Sequence, residues 1–169
     1  MAENENTQAP EQQQTQEPVF QLQRCYLKDV SLEMPNAPEI LLQPASQEPQ
    51  VDIQFEVSNR VIVESLYDVA VRATITVKLV DRVIILTECK QSGIFTIAGL
   101  PADQVNHICN VLCPTIIYPY LRANLADLMT RANIPPVHLP EVNFEILYQQ
   151  RLADEQAKAQ GEQAPAANS

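Results

Sequence analysis

The sequence predicts an α+β fold in which a four-stranded antiparallel sheet packs with two main helices. The first half of the chain alternates apolar and polar residues with the period of two that half-buried strands show. The second half changes to the three- and four-residue spacing of amphipathic helices. Strands followed by helices are the pattern of α+β domains. A chain of 169 residues is long enough for one such domain with tails, and two separate cores would be cramped.

Both ends of the chain have the composition of tails. Residues 1–18 contain four Glu, many Gln and no Lys or Arg, a composition that buries too little apolar surface to offset the entropy of ordering. Residues 153–169 are rich in Ala, Gln and Glu, so we expect the last helix to fray there. We therefore expect a disordered acidic tail over 1–18, a folded domain over 19–152 and a flexible tail over 153–169.

The first strand, expected over 20–33, sorts its side chains into two sets. Alternation gives one apolar set, Phe20, Leu22, Tyr26, Val30 and Leu32, and one polar set, Gln21, Gln23, Asp29, Ser31 and Glu33. The apolar set is expected to face the core. Asp29 and Glu33 then share one solvent-facing stripe, which is either an acidic recognition surface or the ordinary wet side of a sheet.

Three further strands follow with the same period. Residues 51–58 and 67–79 alternate between apolar and polar side chains, and a short connection leads to the last strand, which begins at Val83. Ser92-Gly93 permits a bend or bulge in that strand before residues 94–98.

Leu86 and Glu88 are a second feature of the solvent-facing side. They share one face of the last strand, while Ile85 and Cys89 share the other. If Ile85 and Cys89 point inward, Leu86 is an exposed apolar group bordered by acid, a plausible contact for a basic and partly hydrophobic partner. A single exposed leucine is also ordinary.

The helical half has three recognisable segments. Asp103 is a candidate N-cap for a short helix through Cys109. The major helix is expected from near Pro119 to near Ala132, because an interior proline loses a hydrogen bond and clashes with the preceding turn. Its apolar stripe is Ile117, Leu121, Leu125, Leu128 and Met129. Asn143 is expected to cap the last helix, whose apolar side carries Phe144, Leu147, Tyr148 and Leu152. Such stripes are mostly internal packing, but apolar surface that one protomer leaves uncovered favours self-association.

Composition excludes several classes of function. A net charge of -10 and a pI near 4.5 repel nucleic-acid phosphates and anionic membranes and attract basic partners. Only 3 Gly stand against 13 Pro, so glycine-rich nucleotide loops are not expected. No secretory presequence precedes the cysteines, and no apolar run approaches the roughly 18 residues of a membrane-spanning helix. We expect a cytoplasmic protein that is not inserted in a membrane.

The residues that invite a metal or catalytic interpretation do not form a recognised motif. His107 and Cys109 stand two residues apart and fall about 200° apart on a helix, so only Cys109 and Cys113 share a helical face. With His138 added, these residues still lack the paired Cys and His spacing of zinc sites. We expect no metal, no cofactor and no catalytic residues. A small acidic enzyme that uses Asp29 with Glu33, or Cys113 as a nucleophile, is the minor alternative.

With these segments in place, the chain closely resembles the SecB family of bacterial protein-export chaperones from Phe20 to Tyr148. Several sequence blocks in order carry this resemblance: Gln23-Arg24, Tyr26-Leu-Lys-Asp-Val-Ser-Leu-Glu33, Pro35-Asn-Ala-Pro38, Gln91-Ser-Gly-Ile-Phe-Thr-Ile-Ala-Gly99, Cys113-Pro-Thr-Ile-Ile-Tyr-Pro-Tyr120 and Pro140-Glu-Val-Asn-Phe-Glu-Ile-Leu-Tyr148. The resemblance implies a homotetramer arranged as a dimer of dimers. It also implies ATP-independent holding of unfolded presecretory proteins and their delivery to the SecA motor.

The resemblance further implies two binding sites. The SecA contact of the family falls on Asp29, Glu33, Leu86 and Glu88, and its zinc belongs to the SecA tail. The client groove maps to Ile40, Leu41 and Tyr148. This sequence departs from the family pattern because the loop over 41–47 lacks its frequent aromatic and Ile134 stands where an aromatic is common. A SecB-like chaperone that guards an antitoxin is the alternative within the family.

Overall fold

The computed structural model describes residues 17–43 and 48–162 of the protein. Four strands form one antiparallel sheet in the order β1-β4-β3-β2: β1 (Val19–Glu33), β2 (Gln50–Val63), β3 (Leu66–Leu79) and β4 (Arg82–Ala98). Three helices follow: α1 (Ala102–Asn110), α2 (Leu112–Arg131) and α3 (Phe144–Glu162). A 3-10 turn, Glu39–Leu42, follows β1. The predicted α+β class with a four-stranded antiparallel sheet is confirmed.

The expected tails fall mostly beyond the described part of the chain. Residues 1–16 and 163–169 lie outside it, so most of the expected acidic tail and the end of the expected flexible tail are not among the described residues. The domain end that we placed at residue 152 falls inside α3, which continues to Glu162.

The core lies between one face of the sheet and α2. Alternate residues of β3 and β4 point to this inner face and are fully or almost fully buried, among them Val71, Ile75 and Ile85. The predicted apolar stripe of α2 packs on them, with Ile117, Leu121, Leu125 and Met129 at 0% exposure. Only Leu128, at the edge of the stripe, is half-buried. The other side of the sheet, which we call the outer face, carries no helix among the described residues.

The prediction that Tyr26 shares a face with Phe20 is wrong. The pairing register between β1 and β4 shifts between Leu22 and Arg24 and again between Leu27 and Asp29. Each extra residue reverses the face of the side chains that follow it, so Tyr26 lies on the outer face, opposite Ser92. The second shift restores the predicted parity, and Asp29 and Glu33 point outward as predicted.

β4 has no bulge at Ser92-Gly93, because both residues keep a regular register with β1 and with β3. Gly93 has a packing role instead. A Cβ atom at this position would lie 2.5 Å from Phe95 Cε2 and 3.0 Å from Ile117 Cγ2. Glycine therefore lets α2 approach the sheet closely at this point.

The major helix begins at Leu112 and not near Pro119, and Pro119 lies inside it. Pro119 and Thr115 are both exposed, so the carbonyl that loses its helical donor lies on the solvent side of α2. The Thr115 hydroxyl donates to the Val111 carbonyl at 2.7 Å in the preceding turn. Exposure of the proline and of its missing partner explains why the helix continues through it.

Among the described residues, no helix is long and apolar enough to cross a membrane.

Candidate functional site

The outer face brings together the four residues that we predicted as an acidic and apolar contact. Glu33 pairs with Leu86 and Asp29 with Lys90, while Glu88 pairs with Ser31 between these two rows. Directly paired residues point to the same side of a sheet. Asp29, Glu33, Leu86 and Glu88 therefore share the outer face, within about 13 Å along β1 and one strand spacing across. We call these four residues the acidic dock.

Within the acidic dock, Glu88 is the most constrained carboxylate. It accepts a hydrogen bond from Thr74 Oγ1 at 3.1 Å, and Arg72 Nε lies 3.5 Å from its Oε1. Arg72 also reaches Glu56, at 3.8 Å. The Glu88 side chain is 30% exposed, so its charge is fixed in position, partly neutralised and still open to a partner.

The other members of the acidic dock are more open. Asp29 and Glu33 are exposed and Leu86 is half-buried. An Asp29 carboxylate oxygen accepts a hydrogen bond from the backbone N–H of Val30 at 3.0 Å. A half-buried leucine next to exposed carboxylates can bind an apolar group that has cations beside it.

A groove of about 250 Å³ lies between the edge strand β2 and α3. Apolar side chains from both elements form most of its walls, and Asn110, Glu56 and Arg151 add polar groups. The apolar lining residues are Phe55, Val57, Leu147 and Tyr148. Phe55 and Val57 are half-buried and Leu147 is 37% exposed, so the groove offers accessible apolar surface beside a strand that lies at the edge of the sheet formed by the described residues.

Tyr148 is held rigidly in this groove. Its hydroxyl accepts a hydrogen bond from Asn106 Nδ2 at 3.0 Å, and its ring packs edge-on against His107 at 5.7 Å. The Arg151 guanidinium lies 5.8 Å from the ring centroid and donates to Asn110 Oδ1 at 2.7 Å. These contacts fasten α3 to α1, and they fix the floor of the groove.

The first turn of α3 is also held by polar contacts. Asn143 caps the helix as predicted, because its side-chain oxygen accepts a hydrogen bond from the Ile146 N–H at 3.2 Å. His107 Nε2 lies 2.6 Å from Glu145 Oε2. The hydrogen bond from Gln149 and then that from His107 lower the pKa of the Glu145 carboxyl, so it stays charged beside the histidine.

Of the three predicted client-groove residues, Tyr148 alone lines this groove. Ile40 lies in the 3-10 turn after β1 and is buried at 5% exposure, whereas Leu41 and Leu42 are 51% and 82% exposed. In the ranges 17–43 and 48–162, the residues that line the groove beside Tyr148 do not include Ile40 or Leu41. The loop over 41–47 lies only partly within the described residues.

Sequence reasoning missed the remaining groove residues. Phe55 and Val57 stand two apart on β2, and Leu147 and Arg151 flank Tyr148 on α3. Their alternation and helical spacing were visible, but only the packing of α3 beside β2 brings them together. The sequence did not show that β2 is an edge strand whose Phe55 and Val57 side chains stay partly exposed.

The environment of Cys113 argues against its role as the nucleophile that we considered. Hydrogen bonding to Cys109, and then burial, raise the pKa of the Cys113 thiol, which is 0% exposed. Burial also raises the pKa of Cys89 to about 11. Such thiols stay protonated at neutral pH and are closed to substrate. No three His, Cys, Asp or Glu side chains in the described ranges converge as metal ligands.

Comparisons with known proteins agree with the resemblance. A profile of the family described as "Preprotein translocase subunit SecB" matches residues 13–155. The protein-export protein SecB of Acidovorax sp. (strain JS42) is 53% identical over 136 residues, 80% of this chain and 89% of that protein. That of Methylibium petroleiphilum is 51% identical over 148 residues, 88% of each chain. That of Burkholderia mallei is 46% identical over 149 residues, 88% of this chain and 92% of that protein.

A solved structure shares the fold. It is a SecB-like chaperone of Mycobacterium tuberculosis in complex with a peptide from an antitoxin, and the match covers 73% of this chain and 90% of that one. The TM-score is 0.60 and the sequence identity is 17%. At that identity the likeness extends to the fold alone.

Proposed function

Because the chain belongs to the SecB family of protein-export chaperones, we propose that it holds unfolded presecretory proteins in the cytoplasm without ATP and delivers them to SecA. Membership of this family confirms the prediction that the protein is a chaperone and not an enzyme. The observation that carries the finer proposal is the separation of two surfaces. An apolar groove opens beside the outer edge of β2 on the helix side, and the acidic dock lies on the outer face.

The acidic dock is our proposed contact for SecA. Three carboxylates around a half-buried leucine complement a segment that carries cations around an apolar side chain. Glu88 is held by Thr74 and Arg72, so it loses little freedom when a partner binds. These features support the assignment of Asp29, Glu33, Leu86 and Glu88 as the surface on which the motor docks.

The groove beside Tyr148 is our proposed client site. Its apolar walls can bury side chains of an unfolded segment, at roughly 25 cal/mol per Å² of apolar surface less the cost of ordering the client. Within residues 17–43 and 48–162, no strand pairs with the outer edge of β2, so this edge can offer backbone hydrogen bonds to an extended chain. We extend the predicted set from Tyr148 to Phe55, Val57 and Leu147, and we keep Ile40 and Leu41 as predictions for the same path.

A homotetramer arranged as a dimer of dimers is part of the proposal. β1 is an edge strand, and its inner side exposes Phe20, Leu27 and Val30 at 39%, 45% and 41%. On α2, Leu112 and Tyr120 are 43% and 53% exposed. Apolar surface of this extent at a strand edge and along a helix supports burial against further copies of the chain.

The antitoxin-guarding alternative has less support. The relatives that are 46% to 53% identical are protein-export proteins. The antitoxin-bound chaperone is 17% identical to this chain, so that comparison supports a shared fold alone. The continuous acidic dock also favours a motor partner over a chaperone that serves one antitoxin.

Aggregation of an unfolded client tests the proposed chaperone activity directly. A chemically denatured presecretory protein is diluted into buffer without ATP, and light scattering is followed with and without a molar excess of the purified tetramer. We expect scattering to be suppressed at stoichiometric tetramer and to return when the groove is saturated with a competing unfolded peptide. Unchanged scattering at tetramer excess would contradict the proposal.

A further inference from the structure

The outer face has a second charged region, at the end of the sheet away from Glu33. Asp68 lies there, buried at 3% exposure. Lys28 Nζ lies 2.5 Å from its Oδ2, Arg60 Nε lies 3.1 Å from the same oxygen, and the Tyr26 hydroxyl donates to Oδ1 at 3.3 Å. Burial by itself raises the pKa of the Asp68 carboxyl, but these partners outweigh it and bring the pKa below its ordinary value. The carboxylate is charged and already fully partnered.

The cations around Asp68 exceed what one carboxylate can neutralise. A pocket of about 110 Å³ is lined by Asp68 together with Lys28, Arg60 and Lys90. Arg24 lies in the same row of the sheet, because it pairs with Ile94, which in turn pairs with Asp68. The acidic groups near these residues on the outer face are Asp29, which pairs with Lys90, and Glu88 and Glu56, both of which Arg72 already contacts. We call Arg24, Lys28, Arg60 and Lys90 the basic pocket.

A surplus of positive charge is unusual on this protein, whose net charge is -10. The Arg60 side chain is 65% exposed and that of Lys28 is 33% exposed, so both can contact a second anion from solvent. The chemistry of the pocket fits a carboxylate that is carried on a segment without cations of its own.

We propose that the basic pocket binds the acidic N-terminal segment of the same chain, residues 1–16. That segment carries Glu3, Glu5 and Glu11 and no Lys or Arg. The same segment of a second copy is the competing occupant, and isotopic labelling of the copies separates the two cases. Covalent attachment also raises the local concentration of the segment, which a separate acidic partner lacks.

The length of the segment agrees with this docking. Val19 pairs with Ala98, four residues along β4 from the row that contains Asp68. Asp68 therefore lies roughly 17 Å from the start of β1, since four residues span about 14 Å and two strand spacings about 10 Å. Lys90, eight residues along β4 from Ala98, lies about 27 Å away. Glu11 stands eight residues before Val19 and reaches up to about 26 Å, so it spans the distance to Asp68 easily and the distance to Lys90 only when the chain is extended and its side chain is included. Glu17, two residues before Val19, reaches only about 7 Å, so the contact belongs to Glu11 and the residues before it.

A docked segment adds negative charge next to the acidic dock. Lys90 is the paired neighbour of Asp29. When the segment neutralises Lys90, the part of the sheet that carries Asp29 attracts a basic partner more strongly. This consequence rests on the proposed SecA contact, whereas the docking of the segment itself does not.

Zero-length carbodiimide cross-linking of the full chain at low salt tests the proposal, because it joins a carboxylate only to an amine in contact with it. The chain has four lysines: Lys28 and Lys90 at the pocket, and Lys78 and Lys158 elsewhere. We expect the tryptic peptide 1–24 to be linked to Lys90 or Lys28 several-fold more often than to Lys78 or Lys158. The links should fall at least about twofold in 0.5 M salt, where screening acts within a few ångströms.

Two variants and one labelling control complete the test. Glu11→Gln in the segment and Arg60→Gln in the pocket should each lower the yield of the Lys90 link, whereas Arg82→Gln, at the other end of the sheet, should not. Equal links to all four lysines, no link at all, or yields unaffected by either variant would overturn the proposal. Links found only between chains of different isotopic label would assign the segment to a second copy. None of these readouts involves client or SecA, so failure here leaves the proposed function standing.

Discussion

Leu86→Arg is the sharpest perturbation of the proposed SecA contact. Leu86 is half-buried between Glu33 and Thr76 in register, so a partner covers the remaining part of its side chain. Loss of that burial costs roughly 1 to 2 kcal/mol. A new cation facing a basic partner adds roughly 0.5 to 1 kcal/mol. The sum, about 1.5 to 3 kcal/mol, corresponds to a Kd for SecA that is about 12- to 150-fold weaker.

Glu88→Gln in the same dock should have a smaller effect. Arg72 and Thr74 already hold and partly neutralise the Glu88 carboxylate, so removal of its charge should weaken SecA binding by about 1 kcal/mol, or about fivefold. Leu86→Arg should therefore exceed Glu88→Gln at every salt concentration. The Glu88→Gln difference should shrink as salt is added, because surface charges are screened over about 8 Å at physiological ionic strength.

Titration calorimetry of SecA into each purified variant measures these differences. Val80→Arg is the matched control for Leu86→Arg, because Val80 is 57% exposed and lies between β3 and β4, outside the acidic dock. Glu64→Gln, an exposed residue between β2 and β3, is the control for Glu88→Gln. A Leu86→Arg protein that binds SecA as tightly as the parent, with its tetramer intact, would refute the assignment of the dock.

Further predictions concern stability and the groove. Gly93→Ala should destabilise the protein by about 1 to 3 kcal/mol, because the added Cβ meets Phe95 Cε2 at 2.5 Å. Ser92→Ala should be neutral or stabilise the protein by about 1 kcal/mol, because the buried Ser92 hydroxyl has no hydrogen-bond partner among the described residues. Urea unfolding at one fixed protein concentration measures both, and equal effects would contradict the packing described for these neighbours. Because the pKa of Asp68 is lowered in the folded protein, the charged Asp68 stabilises the fold above about pH 4, and this stabilisation is lost as the pH falls further. Acid unfolding of Asp68→Asn should lack that part of the pH dependence. An unchanged pH profile would contradict this role of Asp68. Leu147→Ser should weaken client capture by about 1 kcal/mol, or about fivefold, without changing SecA binding, and undiminished suppression of client aggregation would remove this residue from the groove.

The acidic dock was predictable from the sequence because residues separated by an even number of positions share one face of a regular strand. Asp29 and Glu33 differ by four residues and Leu86 and Glu88 by two, so each pair keeps one face in any regular strand. The two irregularities of β1 cancel before Asp29, and the prediction for these residues survived them. Tyr26 lies between the irregularities, and its predicted face was therefore wrong.

The groove and the basic pocket depend on contacts that no local pattern encodes. Tyr148 meets β2 only after α3 has folded back beside the sheet, with Asn106 and Arg151 as its anchors. Asp68 obeys the alternation of β3, but its burial comes from Lys28 on β1 and Arg60 on β2, forty and eight residues away. Alternation identifies a face and cannot identify which side chains converge on it.

The separation of client groove and acidic dock is tested most directly by the affinity of SecA for the chaperone with and without bound client. SecA is titrated into the empty tetramer and into the tetramer saturated with an unfolded presecretory protein, under otherwise identical conditions. We predict that client-loaded chaperone still binds SecA, and that Leu86→Arg weakens binding to both forms by similar factors. Loss of SecA binding when the groove is filled would contradict the account, because it would mean that the two partners compete for one surface.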